Sequence, residues 1–273
     1  MKKILTFAVM LMMVITASAQ NEKKVLCIED FVNNANCSNE TFRNFQNEVI
    51  TDIMATDRLT VVMVSTFGDL PSAKNERLKT FRSKGVDYVL EGKLNSVTCK
   101  AKPANDKTSY RAEVNFTLTV TDAATGAVTG TYSDVTVYNG TTEAESIQNA
   151  IETMDNMIKR FVDSYFKVTG FIKALDKYDA KKGAKTVYIT LGYDAGISEG
   201  QIFEVFTEAE VAGEKIVKKI GEVKASEVLS STLTLCKVKN GEKEIYEAFT
   251  ADKTMIVVSR AKKRGVLDVL GGL

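Results

Sequence analysis

Between Ala112 and Thr121 apolar and polar residues alternate without a break. Ala112, Val114, Phe116, Leu118 and Val120 occupy one parity; Glu113, Asn115, Thr117, Thr119 and Thr121 occupy the other. A period of two is the pattern of a β-strand with one buried and one polar face. The stretch sits inside a longer run, Gly85 to Gly126, that reads as two strand signals joined by a short polar loop. Asp122 to Gly126 (DAATG) supplies a turn, and Ala127 to Tyr138 runs out again as a third strand, so the segment is a meander. One face of that sheet needs a cover, and the flanking segments supply candidates for it.

Upstream, Lys23 to Phe31 (KKVLCIEDF) reads as a first, buried strand, followed by the polar loop Asn33 to Asn39. Phe42, Phe45, Val49, Ile53 and Met54 then recur at helical spacing, with Arg43, Asn47 and Asp52 on the other side. Arg58 to Ser65 (RLTVVMVS) is expected as a second buried strand, and Asn75 to Lys84 as a short basic helix closed by Gly85. Downstream, the longest helix is expected over Thr142 to Phe166, opened by a capping box of Thr142 and Glu145. Its stripe of Ile147, Ile151, Met154, Ile158, Phe161 and Tyr165 fits either a cover for the sheet or a seam with a partner helix. Strand and helix alternate before the meander, so the sheet is mixed and the first domain is α+β, an α/β layer with flanking helices.

Around Lys167 the texture changes. Six short strand signals, FIKAL, KTVYITL, QIFEVF, IGEVKASEVL, STLTLCKV and TMIVVSR, follow one another between glycine turns with no strong helical period. This spacing predicts a small antiparallel barrel or sandwich. The expected organisation is therefore a leader over 1–19, an α+β domain over 20–166, a small all-β barrel-like domain over 167–260 and a tail over 261–273. The tail opens on Lys262, Lys263 and Arg264 and ends in the apolar GVLDVLGGL; it docks on its own domain, frays or binds a partner.

The leader has the parts of an export signal: Lys2 and Lys3, an apolar run from Ile4 to Ile15, and the small-residue site Ala17-Ser18-Ala19. The run is too short for a membrane span, which needs about 20 residues. Gln20 follows the site where a lipoprotein would carry its cysteine, so the mature chain is expected in the periplasm, peripheral at most to the outer membrane and not integral to it. Removing Lys2 and Lys3 leaves 34 basic against 35 acidic residues, a net charge of −1. Such a balance argues against a nucleic-acid partner.

The chain has no histidine, which removes His-based triads, Cys-His dyads and the commonest metal ligand together. Cys27, Cys37, Cys99 and Cys236 lack zinc spacing, and their even number allows three full disulfide pairings that spacing does not choose between. Cys27, between Leu26 and Ile28, reads as a buried thiol. No phosphate-cradling glycine motif follows a predicted strand. Two carboxylate pairs remain, Glu29 with Asp30 at a strand end and Asp194 with Glu199 in a glycine turn; both read as solvated loop ends. No catalytic, metal-binding or cofactor-binding residue is therefore assigned. The turn itself, Gly192 to Val205 (GYDAGISEGQIFEV), is the more specific feature. Gly196 and Gly200 are expected in backbone conformations that other residues avoid. Gly192, Asp194, Gly196, Glu199 and Gly200 form either a barrel corner or a partner-contact loop.

The segments KVLCIEDF, RLTVVMVS, SKGVDYVLEGKLNSV and TVTDAATGAV together resemble the CsgG and LpoB type of envelope domain, over about Lys23 to Phe166. The motifs that carry the resemblance are GVDYVLEGKL and TDAATG. GISEGQIFEVF and KIGEVKASEV are similar to the C-terminal domain of the flagellar assembly protein T. The resemblance implies non-catalytic work at the bacterial envelope: binding a protein partner in envelope assembly or, alternatively, serving as a subunit of an oligomeric ring or secretion complex. An enzyme using carboxylates alone is the third class, with no positive feature behind it. The long membrane-crossing hairpins of the channel members have no counterpart, since only a short lysine-bearing loop is expected between Val97 and Tyr110. No pore is expected, because the apolar face of the strand at Ala112 to Thr121 is needed under the long helix.

Overall fold

The computed structural model describes residues 23–104, 107–211 and 214–261, and the chain divides within them into two units, 24–165 and 166–261. The leader 1–19 and the tail from Lys262 onward lie outside the described residues. Both units are built on sheets, one mixed and one antiparallel, with few helices, so the molecule is α+β.

In the first unit β1 (Lys24–Ile28) is flanked in parallel by β3 (Leu59–Met63) and β4 (Tyr88–Ala104). β5 (Lys107–Asp122) and β6 (Val128–Gly140) then add antiparallel, giving the order β3-β1-β4-β5-β6. A two-residue strand, β2 (Val32–Asn33), pairs with β4 at Lys93 and Leu94. The alternation in β5 is fully expressed: Ala112, Val114, Phe116, Leu118 and Val120 are all at 0% exposure. The turn after β5 is fixed by Asp122, whose carboxylate accepts from the backbone and hydroxyl of Thr125, and by Gly126 at φ +71°.

Three helices cover that apolar face. α1 (Asn39–Ala55) is capped by Ser38, which accepts from the Thr41 amide, and it buries Phe45, Val49 and Ile53. The Phe45 ring packs 5.9 Å from Phe31 and 5.9 Å from Phe116. Met54, expected on the buried stripe, is 58% exposed: it follows Ile53 by one residue and is carried round to the solvent side. The expected long helix is two helices, α3 (Glu143–Glu152) and α4 (Asp155–Tyr165), so α1 is the longest described. Thr153 ends α3 by turning its hydroxyl onto the Asn149 carbonyl, and the amides of Met157 and Ile158 restart the ladder on Met154. The break seats Met154 in the core at 0% exposure. A helix of a different role, α2 (Lys74–Ser83), lies on the opposite face, where Leu78 and Phe81 pack with Cys27 and Val89.

Two further expectations are corrected here. β3 is an edge strand with only Leu59 buried, because nothing pairs on its far side within the sheet. Most of the loop expected from Thr98 to Ser109 is strand: β4 and β5 stay paired through Ala104 and Lys107, and Asn105 and Asp106 lie outside the described residues. All four cysteines are free; Cys27 is buried as expected, and desolvation pushes its thiol up to about 12.

The second unit has the six expected strands: β7 (Thr169–Asp179), β8 (Gly183–Ile189), β9 (Ile202–Val211), β10 (Glu214–Ser230), β11 (Leu233–Asn240) and β12 (Met255–Arg260). They close in the order β10-β11-β8-β7-β12-β9, with β9 pairing back to β10, so the sheet is a closed barrel. Closure removes exposed strand edges. Phe203, Val205, Val187, Ile189, Val223 and Val257 fill the interior. One helix interrupts the strands, α5 (Glu242–Thr250), where no helical period is expected; it adds Ile245 and Ala248 to that core.

Candidate functional site

Among the described residues, polar chemistry reaches an accessible surface at several places, three of which combine it with a distinctive backbone setting. The first is set by topology. From β1 the chain crosses to β3 through α1 on one face, and from β3 to β4 through α2 on the other. Crossovers that leave neighbouring parallel strands toward opposite faces open a crevice at the carboxyl ends of those strands. A cleft of about 290 Å³ lies there, lined by Glu29 and Asp30 after β1, Val64 after β3, Arg77 of α2, and Glu91 and Lys93 of β4. Arg77 holds Glu29 at 3.3 Å, and Lys74 grips both oxygens of Glu91 at 2.9 and 3.0 Å. Burial raises the Glu29 pKa above the usual carboxylate range; Arg77 opposes the shift and Glu91 adds to it. The carboxylate pair read from the sequence is thus split: Glu29 is tied to a guanidinium and Asp30 stays exposed. Among the described residues no cluster of three or more histidine, cysteine, aspartate or glutamate side chains could hold a metal ion.

The second place is the glycine turn. Residues 193–195 make a short 3-10 turn, after which Gly196 (φ +61°) and Gly200 (φ +85°) take the left-handed conformations expected of them. Gly192 is glycine for another reason. Its backbone is extended, but a Cβ there would lie 2.0 Å from the Ser230 carbonyl oxygen and 2.6 Å from the Ser231 carbonyl carbon. The turn is pressed against the β10–β11 hairpin and bonded to it: the Asp194 amide donates to Ser231 and the Tyr193 hydroxyl to Val228. The side chains of Asp194 and Glu199 are exposed and Tyr193 is 57% exposed, so the turn presents a small polar rim to solvent.

The third is the face of the first sheet opposite its helices. α2 covers only the end near Cys27, Val89 and Ala123. Beyond it, side chains of β4, β5 and β6 form a polar lattice. Asn95 donates to Thr117 at 2.9 Å, Thr117 and Ser133 share a hydrogen bond at 2.9 Å, and Asn115 donates to Ser96 at 2.9 Å. A bulge between Leu94 and Ser96 shifts the parity of β4, so that Thr98, Lys100 and Lys102 stand on the same face as Glu113 and Arg111. β6 ends at Gly140 opposite Tyr110, and beyond that level β4 and β5 continue as a two-stranded ribbon. No motif in the sequence marks this surface; the alternation of β5 marks it only as polar.

No family model matches the chain, and no curated protein matches it by sequence. Solved structures similar to about half of it include the PelC dodecamer from Paraburkholderia phytofirmans, at 17% identity over 51% of this chain and 89% of that one, with a TM-score of 0.33. Lipoprotein GNA1162 from Neisseria meningitidis is similar at 12% identity over 50% of this chain and 97% of that one, with a TM-score of 0.35. The LpoB C-terminal domain from Salmonella enterica is similar at 15% identity over 46% of this chain and 90% of that one, with a TM-score of 0.28. All three likenesses are distant.

Proposed function

We propose that this chain is a non-catalytic accessory protein, exported to the bacterial envelope, that works by binding a protein partner. The observation behind the reading is the asymmetry of the first sheet. Helices seal one face, while the other carries a side-chain lattice held in place by its own hydrogen bonds and runs out into a projecting ribbon. A surface ordered before contact loses less conformational freedom on binding than a flexible one. Two carboxylates of the cleft are engaged in ion pairs, Glu29 with Arg77 and Glu91 with Lys74, an arrangement suited to holding shape rather than to moving protons. Among the described residues no helix is long and apolar enough to cross a membrane.

The finer reading, that the partner belongs to wall or surface assembly, rests on the resemblance carried by GVDYVLEGKL and TDAATG; the flagellar likeness of the second unit belongs with it. A photo-crosslinking residue placed at Thr98 tests the proposal in cells. A discrete adduct with one envelope protein is expected. A ladder of copies of the chain itself, together with large oligomers on sedimentation, would replace this reading with a ring subunit. A periplasm without any adduct would remove the polar face of the sheet around Thr98 as a contact surface.

A further inference from the structure

β4 has an open edge that runs from the three-stranded part of the sheet into the ribbon. β4 pairs with β1 at Tyr88 to Leu90 and with β2 at Lys93 and Leu94, and the last backbone bond on that side runs from the Asn34 amide to the Leu94 carbonyl. From Ser96 to Lys102 only β5 is paired to β4 among the described residues, so alternate amides and carbonyls of this stretch face outward. An unpaired edge is a template for another strand, by addition of main-chain hydrogen bonds.

The side chains decide which strand. After the bulge at Asn95, Lys100 and Lys102 fall on one face, with Arg111 directly opposite Lys100. Like charges opposite one another across a strand pair are unfavourable. Arg111 is bonded to Glu113 at 3.1 Å, whereas Lys100 and Lys102 are exposed and no ion pair to a described residue is made by either. The other face of the same stretch carries Val97, Cys99 and Ala101, which are uncharged. Lysines on an edge repel a second copy of the same edge, since its lysines would be brought alongside them. The same lysines are complementary to a strand with carboxylates on every second residue. Pro103, which has no amide hydrogen, marks the outer limit of such pairing.

We infer that the outer edge of β4, from Ser96 to Lys102, receives an extended acidic segment of the partner protein as an added strand, its carboxylates over Lys100 and Lys102. This rests on the partner-binding reading above and names the chemistry of the partner. The test uses the mature protein and a fluorescent peptide of alternating Glu and Thr, read by anisotropy. Saturable binding is expected. Full N-methylation of the peptide, which keeps its charge and removes its amide donors, should weaken binding by about tenfold or more. Lys100→Glu with Lys102→Glu should weaken it by at least about tenfold and transfer preference to a peptide of alternating Lys and Thr, a gain that also shows the variant to be folded. Equal binding of the N-methylated peptide would mean attraction by charge alone and would overturn the inference. So would the absence of saturable binding by wild type, or self-association through this edge. If the charge-reversed variant loses the peptide yet still forms the Thr98 adduct in cells, partner binding stands and the partner is not held there by an acidic strand over Lys100 and Lys102, which overturns the inference.

Discussion

Single side chains in this fold are constrained for different reasons, and substitution can tell the reasons apart. Gly192 and Gly200 sit eight positions apart in one turn. At Gly192 an added Cβ meets backbone atoms at 2.0 Å, which only a shift of the β10–β11 hairpin would relieve; at Gly200 its nearest neighbour is the flexible end of Lys224 at 3.7 Å. Gly192→Ala should therefore cost about 2–3 kcal/mol by overpacking, and Gly200→Ala about 1–2 kcal/mol through its positive φ alone. Denaturant melts that ranked them equal would remove the close approach as the cause. Asp52 offers a second test. The helical pattern puts it on the polar side of α1, yet its Oδ2 is buried without a hydrogen-bond partner. Burial, then Glu48 and Asp155, raise its pKa from 3.8 to about 7. A carboxyl whose folded pKa lies above its unfolded value destabilises the fold as pH rises between the two. Asp52→Asn should accordingly add about 1–2 kcal/mol above pH 7, after allowance for partial exposure, and little near pH 4. A stability gain independent of pH would contradict the assignment.

At the level of elements, the sequence is most legible where one period runs unbroken. The alternation of β5 gives its register and buried face directly, and the six strand signals after Lys167 all become strands. The departures have physical causes. The stripe from Ile147 to Tyr165 continues across Thr153 and Met154 without a glycine or proline, so nothing in its period announces that a threonine hydroxyl ends one helix and a core methionine begins the next. From Thr98 to Lys102 the residues alternate, but the uncharged parity holds only Cys99, half-buried, and Ala101, exposed; the strand state comes from continued pairing with β5 rather than from burial. α5 is a short helix that reads as part of a β-rich region because tertiary packing of Ile245 and Ala248, not pattern length, holds it. The cleft was half legible: Glu29 and Asp30 stand out at a strand end, but Arg77 and Glu91 reach them only through the crossover. The cap on α3 was legible in its residues, but its return bond falls one residue earlier, on Thr141 rather than on the N-cap Thr142. Thr142 accepts from the Glu145 amide at 3.2 Å, and the Glu145 carboxylate accepts from the Thr141 amide at 3.0 Å. Thr142→Ala should cost about 1 kcal/mol, and thermal melts of the variant beside Glu145→Gln would show whether the two halves of the cap act together.

For the whole molecule, the division at residues 165 and 166 separates two kinds of sheet with two different ways of dealing with their edges. The barrel of the second unit closes on itself and fills its interior from its own strands and α5, and among the described residues its core is drawn from Val168 onward. The core of the first unit is likewise drawn from its own chain: Phe31, Phe45 and Phe116 pack in series, and Phe161 joins them through Tyr132. Arg58 and Asp163, a buried ion pair at 3.1 Å, tie the start of β3 to α4 across most of the length of this unit. A domain with its own core folds without its neighbour. Two fragments, 20–165 and 166–261, should therefore each unfold cooperatively, and for pieces of this size a destabilisation of 1 kcal/mol should shift Tm by about 2–8 °C. The fragments also divide the residue tests cleanly: Asp52→Asn should act in the first and Gly192→Ala in the second, each with the size it has in the full chain. If either fragment melts without a transition, or if a substitution in one unit changes its cost when the other is removed, the two cores depend on each other and the division at residue 165 is a change of texture rather than a boundary between folding units.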